Sequence, residues 1–260
     1  AIPLSGVRAT LEAIAPYLKQ NAVITDTCPS KQSVLEWAAE LLPDHVHFVG
    51  GNPLVHPAGS GPANARADLY QGRLYCLTPA ASANEEAVQL LTGLVTLVGG
   101  EPFFLDPVEH DGLMTAVEHL PRLLSVALVR TLAKPESWRE SRKLAGQIFQ
   151  QVSTGASGDP DGLKDNFLQN QQTLLHWLDG FTSELYQLRL LLAEGEDSGE
   201  PLAQAIDKAV VSRRDWLKDY QKGEFADPNL KAISEAEIPG FWERWLGLRA
   251  FRRKRESNDK

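Results

Sequence analysis

The succession of strand-like and helix-like segments predicts an α/β domain built on a parallel sheet, followed by an all-α domain. Up to Asp106, short apolar strands alternate with amphipathic helices, the pattern of βαβ units. Beyond Asp106-Pro107 strand signals cease and helical periodicity takes over. A heptad then runs from Leu163 to Leu192: Phe167, Leu174, Phe181 and Leu188 fall on one set of sevens, Gln171, Leu178, Leu185 and Leu192 on the other. A seam that regular packs lengthwise on another helix, within the domain or across a two-fold axis. The expected divisions are 1–106, 107–199 and a C-terminal helical extension with a polar tail, 200–260.

Ala1-Ile-Pro-Leu4 reads as the end of a buried strand, and Val7, Leu11, Ile14 and Leu18 mark the helix that follows. Ala22 to Thr25 is the next strand. Ser30 is the expected cap of a helix carrying Val34, Trp37, Leu41 and Leu42. His45 to Val49 alternates as a strand that Gly50-Gly51 should break. A loop rich in Pro, Gly and Ala (Asn52 to Ala65) precedes a strand at Leu74 to Leu77, a helix from Asn84 to Val98 and a strand at Pro102 to Leu105. In the helical half, Gly, Ser and Pro interrupt the pattern from Ser153 to Asp161. Gly195 to Pro201 reads as a linker, and Leu202 to Tyr220 as a last amphipathic helix.

Composition narrows the function classes. With 43% hydrophobic and 23% charged residues, the 260-residue chain buries a core rather than remaining disordered. A net charge of −8 argues against a general nucleic-acid binder. The exception is the cationic end, where Arg244, Arg249, Arg252, Arg253, Lys254 and Arg255 interleave with Trp245, Leu248 and Phe251: an anionic contact or a solvated end. No apolar run approaches the roughly 18 residues that span a bilayer, and no secretory signal is evident, so a cytoplasmic protein is expected. Cys28 and Cys76 have neither disulfide nor zinc spacing and read as buried hydrophobes; His45, His47 and His176 suggest no metal site.

Several ordered motifs carry chemistry. Ile24-Thr-Asp26 precedes Ser30-Lys31; Phe48-Val-Gly-Gly-Asn52-Pro-Leu is followed by Ser60-Gly61 and Asp68-Leu-Tyr-Gln-Gly72-Arg73; Glu109-His110-Asp111 precedes Glu118-His119-Leu120-Pro121; and Asp159-Pro160, Asp165 and Asn170 come later. In order and spacing the set resembles the prephenate and arogenate dehydrogenases of tyrosine biosynthesis, over Ala1 to about Ala193. The resemblance implies a partial Rossmann-like domain, a helical domain that forms a homodimer, an aromatic-pathway substrate and NAD or NADP as cofactor. It places Ile2, Pro3 and Leu4 at the mid-sheet strand end, and Pro29 and Ser30 in the turn that supports the nicotinamide. No GxGxxG turn occurs in these residues, so the chain is expected to begin inside the nucleotide domain.

The departures from the family pattern concentrate on the chemistry. Family members use a histidine after the two glycines to accept the hydroxyl proton as hydride leaves and carbon dioxide is lost. Here that residue is Asn52, and a carboxamide is not a base at neutral pH. His56, four residues on, is a candidate surrogate or an exposed loop residue. Pro29 stands where the family has a serine, with Ser30 one step away. Glu118 replaces a serine and Arg122 a histidine on the substrate side, His119 is shared, and Thr154 falls where an arginine is expected. Asn52 is either a substrate-binding amide or a turn residue; Arg122 either binds a carboxylate or is neutralised by Glu118; His119 is a working or a structural histidine. His110-Asp111 is a working pair or a helix start. Three functions remain open: an impaired dehydrogenase of this type, a silent relative that binds a metabolite or assembles with a partner, and a dehydrogenase for a different hydroxy acid.

Overall fold

A computed structural model describes residues 2–55 and 62–222. Helix α1 (Leu4–Ile14) leads into β1 (Val23–Ile24), α2 (Gln32–Leu41), β2 (His47–Pro53), β3 (Leu74–Pro79), α3 (Glu85–Leu97) and β4 (Glu101–Phe104). The four strands form one sheet in the order β1-β2-β3-β4. Consecutive residues of β2 feed opposite faces, as a two-residue period requires. Phe48 packs with Leu4, Val7, Leu11, Val34 and Ala38 on one face, and Val49 with Leu77, Ala87, Leu91 and Val95 on the other.

The expected α/β-then-α architecture is present, but the sheet is mixed. β1–β2 and β3–β4 are parallel, each joined by a crossover helix, whereas β2–β3 is antiparallel, with Asn52 opposite Cys76. No α-helix occurs among the described residues between β2 and β3, so the chain returns alongside β2 in the opposite sense.

Local expectations change at five places. Leu4 opens a helix rather than ending a strand, with Ile2 exposed ahead of it. Gly50-Gly51 does not break β2 but lies inside it. A Cβ on Gly51 would sit 2.6 Å from the Asp26 carbonyl oxygen, so these glycines admit a neighbouring segment rather than make a turn. Ser30 does not cap α2; the Asp111 carboxylate does, accepting from the Lys31 and Gln32 amides at 2.7 and 2.9 Å. The counted heptad spans two helices, α8 (Pro160–Gln169) and α9 (Gln171–Glu194), which meet at Asn170. Gly195 to Pro201 is no linker: a 3-10 turn over Gly195–Ser198, with the Ser198 hydroxyl bonded to the Leu191 and Gly195 carbonyls, passes directly into α10 (Gly199–Lys222).

The helical domain opens with α4 (Pro107–Met114), capped by Asp106 and continued by a π-helical turn (Thr115–His119) and α5 (Leu120–Ala133). Helices α6 (Trp138–Leu144) and α7 (Gln147–Ser153) precede α8. Contrary to the sequence expectation, Pro107–Ala133 is long and apolar enough to cross a membrane by length and composition, an 18-residue stretch within it reaching a mean hydropathy of 1.2. Length alone is weak evidence, and this helix buries His110, Asp111, Thr115, His119 and Ser125, several of them bonded to other segments. It is the element that joins the two domains.

Candidate active site

The site is assembled where the β1–α2 turn and the end of β2 meet the α4–α5 helix. Lys31, at the start of α2, is fully buried and donates to the Asp26 carboxylate and, at 2.7 Å, to the Gly51 carbonyl. Asp26 also accepts from the Gly51 and Cys28 amides at 3.1 and 2.9 Å. A buried charge persists only when paired and fully bonded, and here the pairing fixes the backbone immediately before Asn52.

Asn52 is 5% exposed, and its amide nitrogen lies 3.0 Å from His110 Nε2. His110 is itself buried, with Nδ1 2.8 Å from the Asp111 carboxylate. The carboxylate only accepts, so Nδ1 carries the proton, Nε2 accepts, and the Asn52 amide donates. Asn52, His110, Asp111 and the first amides of α2 thus form one connected chain across the domain junction.

A second chain runs beside it. The Asn170 amide donates to Ser30 Oγ at 2.9 Å and to the Asn166 carbonyl at 3.2 Å, and lies 3.5 Å from His119 Nε2. Among the described residues, His119 Nδ1 and Asn166 Oδ1 are buried without a partner. Burial lowers the His119 pKa below the ordinary histidine value, against the opposing pull of Glu118, so the ring is neutral at neutral pH.

These groups open onto a cavity of about 280 Å³ lined by Pro29, Glu118, His119, Arg122, Asp159 and Asn166, among others. Its α5 wall is held by the turn at Thr154–Ala156, where Gly155 approaches so closely that a Cβ would lie 2.9 Å from Arg122 Cα. Ser125 Oγ, 2.6 Å from the Val152 carbonyl, pins the same contact. Arg122 places Nε and one Nη on Glu118 Oε1, at 2.8 and 2.5 Å.

Of the residues expected from sequence, Pro29, Glu118, His119 and Arg122 line one cavity, and Ser30 is linked to it through Asn170, which bonds the carbonyl of the lining residue Asn166. Asn52 belongs to the neighbouring buried chain and sits in a strand, not a turn. Thr154 is exposed, its hydroxyl on the Gln150 carbonyl, and does not line the cavity. Leu4 is buried in the core, while Ile2 and Pro3 lie exposed before α1. His56 and the cationic C-terminal cluster lie outside the described residues. Sequence reasoning gave no role to Lys31 or Asn166 and left His110-Asp111 undecided. A lysine at the start of an apolar helix, five residues after an aspartate, was the available signal for the first. Among the described residues no cluster of ligands suited to a metal occurs. Both cysteines are buried and free, and burial pushes each thiol up to about 11.

Residues 1–103 match the prephenate dehydrogenase nucleotide-binding domain, and residues 106–207 the prephenate dehydrogenase dimerization domain. The chain is 29% identical to prephenate dehydrogenase of Bacillus subtilis over 225 residues, covering 86% of this chain but only 60% of that protein. Among solved structures it is similar to prephenate dehydrogenase of A. aeolicus in complex with hydroxyphenyl propionate and NAD+, with a TM-score of 0.76, 26% identity, and coverage of 82% of this chain and 74% of that one. It is also similar to Synechocystis arogenate dehydrogenase, with a TM-score of 0.71, 25% identity, and coverage of 82% and 76%. With both domain models matched in order, the chain belongs to the prephenate dehydrogenase family.

Proposed function

We propose that this chain belongs to an NAD(P)-dependent dehydrogenase acting on prephenate or arogenate in tyrosine biosynthesis, with its proton-accepting step impaired. The observation that carries the reading is the cavity between the β1–α2 turn and the α4–α5 helix, where Pro29 of the first domain faces Glu118, His119 and Arg122 of the second. Ligands of open α/β sheets bind at the carboxyl ends of the strands, which is where Pro29 and Ser30 lie after β1. The resemblance would set the nicotinamide end of a dinucleotide beside the Pro29-Ser30 turn, and Pro29 of that turn borders the cavity. The glycine turn that would cradle its pyrophosphate is not among the 260 residues.

When bound, the cofactor would supply the hydride acceptor. This chain's residues would orient the substrate: Arg122 and His119 Nδ1–H offer donors to carboxylate oxygens, and Asp26–Lys31–Gly51 holds the strand end at Asn52. By its place in the motif after Gly50-Gly51, Asn52 would stand where the base is expected, and its amide lacks the basicity. Losing a positioned base costs about 10² to 10⁴ in rate, although aromatisation of the ring pulls the reaction forward. A homodimer is proposed through the helical domain, supported by apolar side chains left exposed on α9 and α10, among them Leu185, Leu192, Ile206, Val210 and Trp216. We place it in the cytoplasm.

The test is to follow the reduced-nicotinamide band with the full-length protein, prephenate or arogenate, and NAD⁺ or NADP⁺. Slow turnover with either substrate, raised in Asn52→His, supports the reading; fast turnover of the unaltered protein would show that its proton-accepting step is not impaired. A second reading, a silent relative that binds an aromatic metabolite, is favoured by one observation: the Asn52 amide is already engaged by His110. Ligand binding with no turnover, even in Asn52→His, would support that reading instead.

A further inference from the structure

The cavity wall carries two opposite charges side by side, and what they leave unbonded describes a ligand. Both contacts from Arg122 fall on Glu118 Oε1, so Glu118 Oε2 and Arg122 Nη1 make no hydrogen bond among the described residues. The pair is about one-third exposed on the arginine and one-quarter on the glutamate, with side-chain values of 35% and 24%. Two of the lining residues each hold a further buried polar atom unpartnered among the described residues, the acceptor Asn166 Oδ1 and the ring nitrogen His119 Nδ1. His119 is 1% exposed. With Nε2 turned toward the Asn170 amide, Nδ1 is the protonated nitrogen and a donor. Beside the Asp159 carboxylate, which caps α8, the lining residues therefore hold two unbonded acceptors, one of them anionic, next to two unbonded donors, one of them cationic.

From this we infer that the site selects a substrate bearing an α-amino acid group, as arogenate does, over the corresponding 2-oxo acid, prephenate; the inference rests on the dehydrogenase reading above. An α-amino acid carries an ammonium and a carboxylate on one carbon, so its two charges can lie antiparallel to the Glu118–Arg122 pair. The ammonium supplies hydrogens to Glu118 Oε2 and Asn166 Oδ1, and the carboxylate accepts from Arg122 Nη1 and His119 Nδ1. A 2-oxo acid satisfies the donors equally well. It brings no hydrogen to either acceptor, and its carbonyl oxygen faces a carboxylate. Sites built to hydrogen-bond a substrate N–H reject analogues that lack it far more strongly than apolar pockets reject a missing methylene, because their own polar groups are left unpaired.

The experiment titrates the full-length protein, by calorimetry, with L-tyrosine and with 4-hydroxyphenyl propionate, which share ring and carboxylate and differ in the ammonium. Tyrosine is expected to bind at least about tenfold tighter, and Glu118→Gln to remove most of that margin through a loss of tyrosine affinity, leaving the propionate unchanged or improved. Equal or tighter binding of the propionate, binding of neither, or an equal loss for both ligands in Glu118→Gln would overturn the inference. Because the readout is binding, a protein that prefers tyrosine but turns over neither substrate would refute the dehydrogenase reading while leaving the selectivity intact.

Discussion

The Asn52 amide donates to His110 across 3.0 Å, and the opposite ring nitrogen of that histidine is held by Asp111. Family members place an imidazole where Asn52 stands; here an imidazole lies one layer behind it, fully buried and bonded on both nitrogens. Asn52 therefore covers His110 from the strand side. The first expected outcome follows from this arrangement. Asn52→His restores a basic group at the strand end and should raise kcat by about 10² or more, with a smaller change in KM. An unchanged kcat would show that proton acceptance does not limit the reaction.

Asp111 accepts from three donors on two domains: the amides of Lys31 and Gln32 and the ring of His110. Asp111→Ala leaves all three in a buried region without their acceptor. A lost cap and unsatisfied buried donors together predict destabilisation of about 3 kcal/mol, read as a lower denaturant midpoint at unchanged slope. A variant within about 0.5 kcal/mol of the parent would mean that water replaces the carboxylate.

These two relationships also show what the sequence could and could not disclose. Strand and helix order was legible because periods of 2 and 3.6 are local properties, and the α3 cap at Asn84 is likewise local, its side chain accepting from the Ala87 amide at 2.9 Å. The α2 cap was not, because its acceptor comes from Asp111, 80 residues further on, while Ser30 occupied the expected position. The antiparallel β2–β3 pair was illegible for a similar reason: the alternation of β3 is the same in either direction, and the pairing itself, with Asn52 opposite Cys76, decides it. Glu118, His119 and Arg122 were found through motif spacing. Asn166 was not, since nothing local marks an asparagine whose side-chain oxygen is buried beside a helix from another part of the chain.

Gly51 is a test of close approach. A Cβ there would meet the Asp26 carbonyl at 2.6 Å and the Tyr75 ring at 3.0 Å, and the backbone oxygen cannot swing away as a flexible side-chain end would. Gly51→Ala should cost about 1–3 kcal/mol and disturb the Asn52–His110 contact, because Lys31 and Asp26 both bond to the same residue. Thermal unfolding with the substrate analogue absent and present checks both parts: lower stability with weaker ligand protection is expected. Unaltered stability would mean that the β1–α2 turn moves aside freely.

His119 gives the pH dependence its sign. Burial lowers its folded pKa below the value of 6.5 for a free histidine, Glu118 and Asp111 opposing and Arg122 and His110 assisting. In the window just below 6.5 the unfolded chain therefore binds more protons than the folded one, and stability falls as pH falls through it. Above the window both states are neutral at this residue and it contributes no slope. His119→Gln should flatten the difference between denaturant midpoints measured at about pH 7.5 and about pH 5.5. Glu118→Gln should steepen it, because it removes the largest influence that raises the imidazole pKa. A pH dependence identical in all three proteins would show that His119 is hydrated in the folded state, and that its Nδ1 has a water partner rather than waiting for a ligand.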